Sequence, residues 1–369
     1  MREYDFAAQL ARAALLDPGL TRPDWSQIAP RDPTLLWLDK NENTDPELAV
    51  LTSRILAELD PKVLFSYPDN GPLYQKLSDS LGLGSDHLLL AAGSDGIIRS
   101  VFEAFVNPGD VVLHTAPTFA MYFVYSRIYG AKAVHLDYAS SPQGPLLPLE
   151  KVLRTISQTK PKLVCLPNPD SPTGTVFAPP ELRRIIESAG EVGALILIDE
   201  AYYPFYEETA LPLVDSYGHL VVARTFAKAW GLAGLRIGYG VAAPAVAGLL
   251  HKVRPMYEVN TLAIAFMERM LDFAAEVLAS VRRLNLGRDT FLKAMAALEF
   301  KTLHGQGNFF HVAFGERAPA IHAALKPLVL YRLDFNEPCL KGYSRFSSAP
   351  AEILAPVIQT IHQAVLPVN

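Results

Sequence analysis

The sequence predicts an α/β protein, in which a seven-stranded, mostly parallel sheet carries helices on both faces and a smaller α+β domain follows. Two observations support this prediction. Seven short apolar runs of strand type recur between residues 88 and 241, and most are separated by stretches long enough for crossover helices. After about residue 255 the pattern changes to a long helical stretch with isolated strand-like runs. We therefore expect three layers in the large domain, with the sheet in the middle.

The chain divides into three expected domains. Residues 1–45 form an N-terminal arm that also contributes to the small domain, residues 46–255 form the large domain, and residues 256–369 form the small C-terminal domain. Within the arm, an amphipathic helix from Phe6 to Leu16 precedes a proline-rich connection.

The arm ends in a polar segment, Asn41-Glu42-Asn43, which by itself is more typical of a simple turn than of a binding site. A helix from about Glu47 to Leu59 follows. The seven strands are expected at Leu88–Ala91, Val111–His114, Lys132–Leu136, Lys162–Leu166, Ala194–Ile198, Leu220–Ala223 and Arg236–Val241. Crossover helices are expected at Asp95–Phe105, Phe119–Tyr129 and Pro179–Ala189. Ligands of such sheets bind at the carboxyl ends of the strands, so the functional residues are expected there.

The small domain begins with the long helical stretch, from about Leu262 to Leu298. Two strands are expected after it, at Phe309–Val312 and Leu328–Tyr331, and a last helix runs from about Ala351 to Val365. This mixture of helices and isolated strands predicts an α+β lobe beside the large domain.

The composition is that of an ordinary globular protein. Hydrophobic residues make up 50% and charged residues 19%, and the net charge is -5, so the chain offers no basic surface for nucleic acid. Cys165 and Cys339 lie far apart and outside any metal-binding spacing, which argues against a disulfide framework and a zinc site. No signal peptide is visible, and no apolar run reaches the roughly 18 residues of a membrane helix. We expect a cytoplasmic protein without a bound metal.

Unusual residues follow four predicted strands, at Gly93–Asp95, Asn168–Gly174, Asp199–Tyr202 and Thr225–Gly240. The last segment places Lys228 at an expected strand-to-helix corner, where an amine could form an imine with a carbonyl cofactor. A solvated surface lysine is the more frequent meaning of one lysine alone. Eight residues later, Arg236 could grip a phosphate with help from Thr225, or it could form a structural ion pair.

Two other strand ends carry groups that could bind a phosphate or a cationic ring nitrogen. Ser94 and Asp95 begin a helix, whose free N–H groups and dipole attract a phosphate, although a plain N-cap serine is more common. Asp199 ends a hydrophobic strand, so its carboxylate needs a partner, and a pyridinium nitrogen would be one. A capping carboxylate and a magnesium ligand are the alternatives for Asp199.

In chain order the motifs are G-S-D, P-T-F, P-x-S-P-T-G, D-E-A-Y and T-F-A-K-A-W-G-L-A-G-L-R-I-G-Y. Together they resemble those of the fold-type-I pyridoxal-phosphate aminotransferases of class I/II, and most closely the histidinol-phosphate aminotransferases. Further matches to that subfamily are Asn41-Glu42-Asn43, Tyr67-Pro68-Asp69, and the pair Arg332 and Arg345. The resemblance runs from about Leu38 to Ser348, and the segment with the lysine and the arginine is its most diagnostic part.

The resemblance implies pyridoxal 5'-phosphate as the cofactor and three catalytic residues. Lys228 would bind the cofactor through an imine, Asp199 would keep its pyridine nitrogen protonated, and Tyr202 would donate to its ring hydroxyl oxygen. Further cofactor contacts are implied for Ser94, Asp95, Phe119, Ser171, Thr225, Arg236 and, across a dimer interface, Tyr67. Substrate contacts are implied for Asn43, Asn308, Arg332 and Arg345. The resemblance thus implies a homodimer that acts on small-molecule amines and 2-oxo acids.

Three positions depart from the family pattern. Ser171 stands where an asparagine is usual, Ala227 replaces the usual serine before the lysine, and Phe119 replaces a common tyrosine that stacks on the ring. The first two changes weaken or remove a hydrogen bond to the cofactor, and the third keeps the stacking but loses a hydroxyl. Imine chemistry does not depend on these groups, whereas the substrate could differ.

The resemblance implies amino transfer from an amino acid or a phosphorylated amino alcohol to a 2-oxo acid such as 2-oxoglutarate, as in histidine biosynthesis. A decarboxylase similar to threonine-phosphate decarboxylase, or another specialised enzyme on the same scaffold, is the alternative. A nicotinamide dehydrogenase is disfavoured because no G-x-G-x-x-G follows the first strand, and a hydrolase because G-x-S-x-G is absent.

Overall fold

The computed structural model describes residues 3–365; residues 1–2 of the predicted arm and 366–369 of the predicted small domain lie outside the described part. The helices are α1 Glu3–Leu10, α2 Pro46–Glu58, α3 Gly71–Leu81, α4 Ser94–Phe105, α5 Met121–Ile128, α6 Leu149–Thr159, α7 Pro179–Glu191, α8 Pro244–Val253, α9 Thr261–Met270, α10 Ala274–Ala297, α11 Ala318–Leu325 and α12 Ala351–Val365. The strands are β1 Leu36–Trp37, β2 Leu88–Ala91, β3 Val111–Ala116, β4 Lys132–Asp137, β5 Ala139–Ser141, β6 Gly144–Leu146, β7 Leu163–Pro167, β8 Leu195–Asp199, β9 Leu220–Thr225, β10 Gly238–Ala242, β11 Lys301–Leu303, β12 Phe309–Ala313, β13 Val329–Leu330 and β14 Ser344–Ser347.

The seven predicted strands form one sheet in the order β2-β10-β9-β8-β7-β3-β4, which confirms the predicted fold class. All neighbouring pairs are parallel except the two made by β10, which runs antiparallel to β2 and β9. The central strands β7, β8 and β9 are buried along their whole length. A strand covered on both faces reads as a continuous apolar run, which is why the sequence revealed these strands.

The antiparallel β10 corrects one prediction about Lys228. Between β9 and β10 the structure has a turn and only a short 3-10 helix, Ala233–Leu235. The predicted strand-to-helix corner is therefore wrong, and Lys228 lies in a turn between two neighbouring strands. Residues 226–237, between the two strands, form no α-helix, and β10 returns antiparallel to β9.

Several other elements differ from the prediction. The predicted helix over residues 6–16 ends at Leu10, and a 3-10 turn, Ala13–Leu16, follows it. The long helix over residues 262–298 is divided by another 3-10 turn, Leu271–Phe273. The strand predicted at residues 328–331 shortens to β13. Helices α3, α6, α8 and α11 and the short strands β1, β5, β6, β11 and β14 were not predicted individually. The strands have only two to four residues each, which is too few to show a period.

The small lobe has a hydrophobic core of its own, to which Leu38 from the arm contributes. This core joins Leu38 to Phe291, Phe310, Phe346 and residues of α12. The arm is also tied to this lobe by the parallel pairing of β1 with β13. The three domain limits stay a prediction. Within residues 3–365, no helix has the length and apolar character needed to cross a membrane.

Candidate active site

One cavity of about 450 Å³ opens at the carboxyl ends of the parallel strands. The last residues of β8 and β9, Asp199 and Thr225, contribute to its lining, as does the first residue of α4, Ser94. Ten of the predicted site residues line it: Ser94, Asp95, Phe119, Ser171, Asp199, Tyr202, Thr225, Lys228, Arg236 and Arg345. The cavity therefore gathers predicted groups that are separated by up to 251 positions in the chain (345 − 94).

Lys228 is partly buried in the turn after β9, with its amine inside the cavity. The amine donates a hydrogen bond to the main-chain oxygen of Lys40 at 2.8 Å. Burial, followed by the positive charge of Arg345, lowers the pKa of Lys228 to about 8. An amine with this pKa has a larger neutral fraction near neutral pH than an ordinary lysine, so it is better suited to attack a carbonyl carbon.

Asp199 is 5% exposed at the end of β8. Its carboxylate accepts hydrogen bonds from the Tyr122 hydroxyl at 3.0 Å and from the Ala201 N–H at 3.1 Å. Burial raises the pKa of Asp199 to about 7, and the hydrogen bond from Tyr122 opposes this rise. Within the described chain, no lysine or arginine forms a salt bridge with Asp199. The carboxylate is thus able to pair with a cationic group of a ligand.

The sequence analysis did not identify Tyr122. It is fully buried, and its ring lies edge-on to Phe119 at 6.2 Å and beside His114 at 6.3 Å. The only signal in the sequence is its position three residues after Phe119, which places both near the start of α5. Its contact with Asp199 spans 77 positions and appears only in the folded chain.

A group of donors lines the other end of the cavity, around the start of α4. Gly93 has a φ of 82°, and a Cβ there would lie 3.0 Å from the Arg236 guanidinium and 3.7 Å from the Thr225 hydroxyl. Glycine is therefore required for the close approach of this loop to Arg236. The first N–H groups of α4, at Ser94 and Asp95, lie beside these side chains and have no partner within the helix. This set of donors fits a phosphate.

Tyr202 and Asn41 form the wall near Lys228. The Asn41 amide donates to the Tyr202 hydroxyl at 2.9 Å, and Asn41 has a φ of 57°. The predicted substrate residue of the polar segment was instead Asn43, which turns away: its amide donates to the Ala229 main-chain oxygen at 2.9 Å. Because Asn41 lies in the left-handed region of backbone conformation, the directions of neighbouring side chains in this segment cannot be assigned from its sequence.

Arg345 lies on β14 and is 9% exposed. Its guanidinium donates to the main-chain oxygen of Asp39 at 2.8 Å and lies 5.4 Å from the centre of the Phe309 ring. Among the described residues, its buried Nε atom has no hydrogen-bond partner. Burial lowers the pKa of Arg345, although the group stays charged at neutral pH. A buried guanidinium with free donors is a suitable site for an anion.

Four predicted site residues lie outside the cavity lining: Asn43, Asn308, Arg332 and Tyr67. Asn308 is fully buried and donates to the Asn41 main-chain oxygen at 2.8 Å. Arg332 lies over the Phe335 ring at 4.0 Å, although its backbone pairs with that of Arg345. Tyr67 is 78% exposed on a separate surface. The roles of these four residues stay predictions.

Residues 33–359 match the family described as aminotransferase class I and II. The chain belongs to this family. Membership confirms the predicted family and, with it, pyridoxal 5'-phosphate as the cofactor. The protein is a pyridoxal-phosphate-dependent aminotransferase similar to the histidinol-phosphate aminotransferases.

Three individual proteins illustrate the similarity. A histidinol-phosphate aminotransferase of Thermoanaerobacter pseudethanolicus is 31% identical over 78% of this chain and 80% of its own length. That of Caldanaerobacter subterraneus is 38% identical, but the match covers 53% of this chain and only 55% of that relative. The crystal structure of the Sinorhizobium meliloti histidinol-phosphate aminotransferase in complex with pyridoxal-5'-phosphate has a TM-score of 0.77 and 21% identity, covering 92% of this chain and 95% of that one. At this identity the structural likeness shows the fold.

The residues of this aminotransferase fit its cofactor. The buried carboxylate of Asp199 matches a protonated pyridine nitrogen, and the donors around Gly93 and Arg236 match a phosphate. The amine of Lys228 lies in the same cavity, so one ligand can reach all three. When bound, pyridoxal phosphate supplies a carbonyl carbon for imine formation and a ring that accepts electrons.

Proposed function

We propose that the protein transfers the amino group of histidinol phosphate, or of a similar anionic amine, to a 2-oxo acid such as 2-oxoglutarate. The observation that carries this proposal is the position of Arg345, a buried cation with free donors in the same cavity as Lys228. Such a cation suits a donor with a phosphate or carboxylate near its amine. The names of the relatives support the phosphorylated donor. We accordingly propose a cytoplasmic role in histidine biosynthesis.

The proposed roles follow from where each group lies. Ser94, Thr225 and Arg236 hold the cofactor phosphate, and Asp199 holds the nitrogen end of the ring. Tyr202 donates to the ring hydroxyl oxygen, with Asn41 orienting its hydroxyl. The remaining contacts proposed for the ring are stacking by Phe119 and a hydrogen bond from Ser171.

Lys228 carries the proton transfers in this proposal. Once a substrate amine had replaced Lys228 on the cofactor, the freed Lys228 amine would take the proton from the amine-bearing carbon of the substrate, and the electron pair of that bond would pass to the electron-accepting ring. The lowered pKa of Lys228 suits this role, because a base works best with a pKa near the operating pH. Arg345 orients the substrate by its anionic group, which keeps the reacting carbon near the lysine.

The donor is identified by single-turnover conversion of the bound cofactor to its amine form, followed by absorbance. We expect histidinol phosphate to react at least tenfold faster than histidinol, because only the phosphorylated compound engages Arg345, a difference of about 1.4 kcal/mol. Phenylalanine and aspartate serve as carboxylate donors in the same panel. Reaction with phenylalanine but not with histidinol phosphate would contradict the proposed donor. Release of carbon dioxide without a 2-oxo acid would favour the decarboxylase.

We also propose a homodimer. Large apolar side chains are exposed around Tyr67, which stacks on Tyr257 with 4.4 Å between ring centres; the nearby Leu64 and Phe65 are 76% and 77% exposed. Contiguous exposed apolar surface of this kind is typical of protein interfaces. The arrangement agrees with the predicted role of Tyr67 across an interface.

A charge placed in this surface should separate the subunits. We expect Leu64→Glu to shift the protein from twice the mass of one chain to one chain, because burying the carboxylate at an interface is costly. Light scattering during size-exclusion chromatography measures the mass. Leu286→Glu, at a residue 64% exposed on α10, is the matched control and should stay dimeric. A wild-type protein with the mass of one chain at micromolar concentration would refute the dimer.

A further inference from the structure

Arg31 lies just outside the cavity lining, in the segment before β1. Its guanidinium donates to both oxygens of the Glu42 carboxylate, at 2.7 and 2.9 Å, and to Asp39 Oδ1 at 3.0 Å. It also lies 4.0 Å from the centre of the Trp37 ring, and the indole N–H of Trp37 donates to the Asp32 main-chain oxygen at 2.8 Å. Arg31 is thus held in a fixed orientation between an aromatic ring and two carboxylates.

Asp39 and Glu42 both belong to the cavity lining. The segment that carries them contacts both cations of the proposed function, because Arg345 donates to the main-chain oxygen of Asp39 and Lys228 to that of Lys40, each at 2.8 Å. The charge of Asp39 acts on Arg345, and the charge of Glu42 acts on Lys228. An anionic substrate and these carboxylates therefore compete for the same cations. The hydrogen bonds from Arg31 hold the pKa of Glu42 below its usual range, so Glu42 stays ionised and its charge must be compensated.

The side chains of this cluster are only partly exposed, at 22% for Arg31, 24% for Asp39 and 25% for Glu42. Charges at this depth are screened less by water and salt than charges on an open surface. The Arg31 fork also matches a carboxylate in two hydrogen bonds, which a lysine cannot reproduce. Compensation by Arg31 should therefore change the electrostatic potential inside the cavity.

We propose that Arg31 is a specificity-determining residue that engages Asp39 and Glu42 and so leaves Arg345 available for the anionic group of the substrate. The inference rests on the proposed function, because it assumes an anionic substrate at Arg345. Without Arg31, the cavity wall carries two carboxylates that have lost their guanidinium partner. These carboxylates repel the anion directly and also pair with the cations that would bind it.

The test measures anion binding rather than turnover. Succinate and inorganic phosphate are titrated into the cofactor-loaded protein, and their dissociation constants are read from the absorbance of the bound cofactor. We expect Arg31→Gln to raise the dissociation constants of succinate and of phosphate by about five- to tenfold, because one unit of positive charge is lost near the anion. Arg31→Lys retains the charge and should bind more tightly than Arg31→Gln.

The double variant Arg31→Gln/Glu42→Gln distinguishes charge compensation from simple anchoring. It restores the net charge of the cluster without restoring the paired hydrogen bonds from residue 31 to residue 42. We therefore expect the dissociation constants of succinate and phosphate to return to within about twofold of wild type. If the double variant bound the anions as weakly as Arg31→Gln, the ion pair between Arg31 and Glu42 would only anchor the chain before β1, and the inference would be overturned. Wild-type binding by Arg31→Gln would overturn it too, while leaving the proposed function intact.

Glu42→Gln alone gives a second measurement that keeps Arg31 in place. It removes one carboxylate from the wall, so succinate should bind at least as tightly as in wild type, and weaker binding would count against the inference. Thermal midpoints of all variants show whether the fold is kept. If the wild-type protein bound neither succinate nor phosphate, both the proposed function and this inference would fail. If it bound them and only the Arg31 variants behaved unexpectedly, this inference alone would fail.

Discussion

Lys228→Ala is expected to abolish amino transfer and covalent attachment of the cofactor. The loss of turnover should reach about 10³-fold or more, because one amine both forms the bond to the cofactor and moves the proton. After borohydride reduction, mass spectrometry of the wild-type peptide that contains Lys228 should show the added mass of the cofactor. The same peptide region of the variant should show none.

Lys40→Ala is the matched control for this experiment. Lys40 also lines the cavity, but the amine of Lys228 contacts only its main-chain oxygen, at 2.8 Å. A Lys40→Ala variant should therefore keep the reducible adduct on Lys228. An adduct on Lys40 in the wild type, or normal turnover by Lys228→Ala, would refute the assignment.

Asp199→Asn should give the second largest loss, with turnover lowered about 10²- to 10³-fold. Asparagine keeps the shape and an acceptor for the Tyr122 hydroxyl, but it cannot neutralise a protonated ring nitrogen. Steady-state kinetics with the best donor measure the loss. Tyr122→Phe provides a graded comparison, because it removes one hydrogen bond from the carboxylate and leaves the charge.

The two variants should also differ in their response to pH. Loss of the Tyr122 hydrogen bond raises the pKa of Asp199 further above about 7, so Tyr122→Phe should bind cofactor less well below pH 8 and recover at higher pH. Asp199→Asn has no ionisable group at this position, so we expect it to bind the cofactor weakly at every pH. Equal cofactor binding by wild type and Tyr122→Phe at every pH would contradict the prediction that the Tyr122 hydroxyl helps to keep Asp199 ionised.

Stability of the cofactor-free protein gives an independent check on Asp199. Its pKa in the folded chain is about 7 rather than the ordinary 3.8, so the folded state binds a proton that the unfolded state releases between these values. Stability from this group is therefore lost as pH rises through that window. Between pH 4 and pH 8 the cofactor-free wild type should lose free energy of unfolding that Asp199→Asn keeps. The free energy of unfolding of the variant relative to wild type should therefore rise on the order of a few kcal/mol over this range. Thermal melts at the two pH values measure this gain.

The parallel strands and the chemistry at their ends were accessible from the sequence because both are local. Strands β7, β8 and β9 are buried on both faces, so each is a short apolar run that stands out in the chain. Asp199 is the last residue of β8, and Lys228 lies three residues after the end of β9. Their motifs also led to the family, which the comparison with known proteins confirmed.

Contacts between distant segments were not accessible in this way. The turn around Lys228 was misread because a Gly-rich segment permits either a helix or a tight return, and only the antiparallel pairing of β10 with β9 decides between them. Arg345 lies on β14, a four-residue strand in which Phe346 is the one apolar residue, so the strand shows no apolar period. Its position in the cavity depends on pairing with β12.

The amino-acid sequence by itself determined the family and the cofactor, and it predicted Lys228 as the reactive lysine, because these depend on residue types at short spacings. Only the tertiary structure decided which side chains surround that lysine. Tyr122 reaches Asp199 across 77 positions, and the Asn41 amide reaches Tyr202 across 161. Arg31 compensates Glu42 from the arm side of the cavity. Such contacts form when packing brings separate elements together, and no local pattern records them.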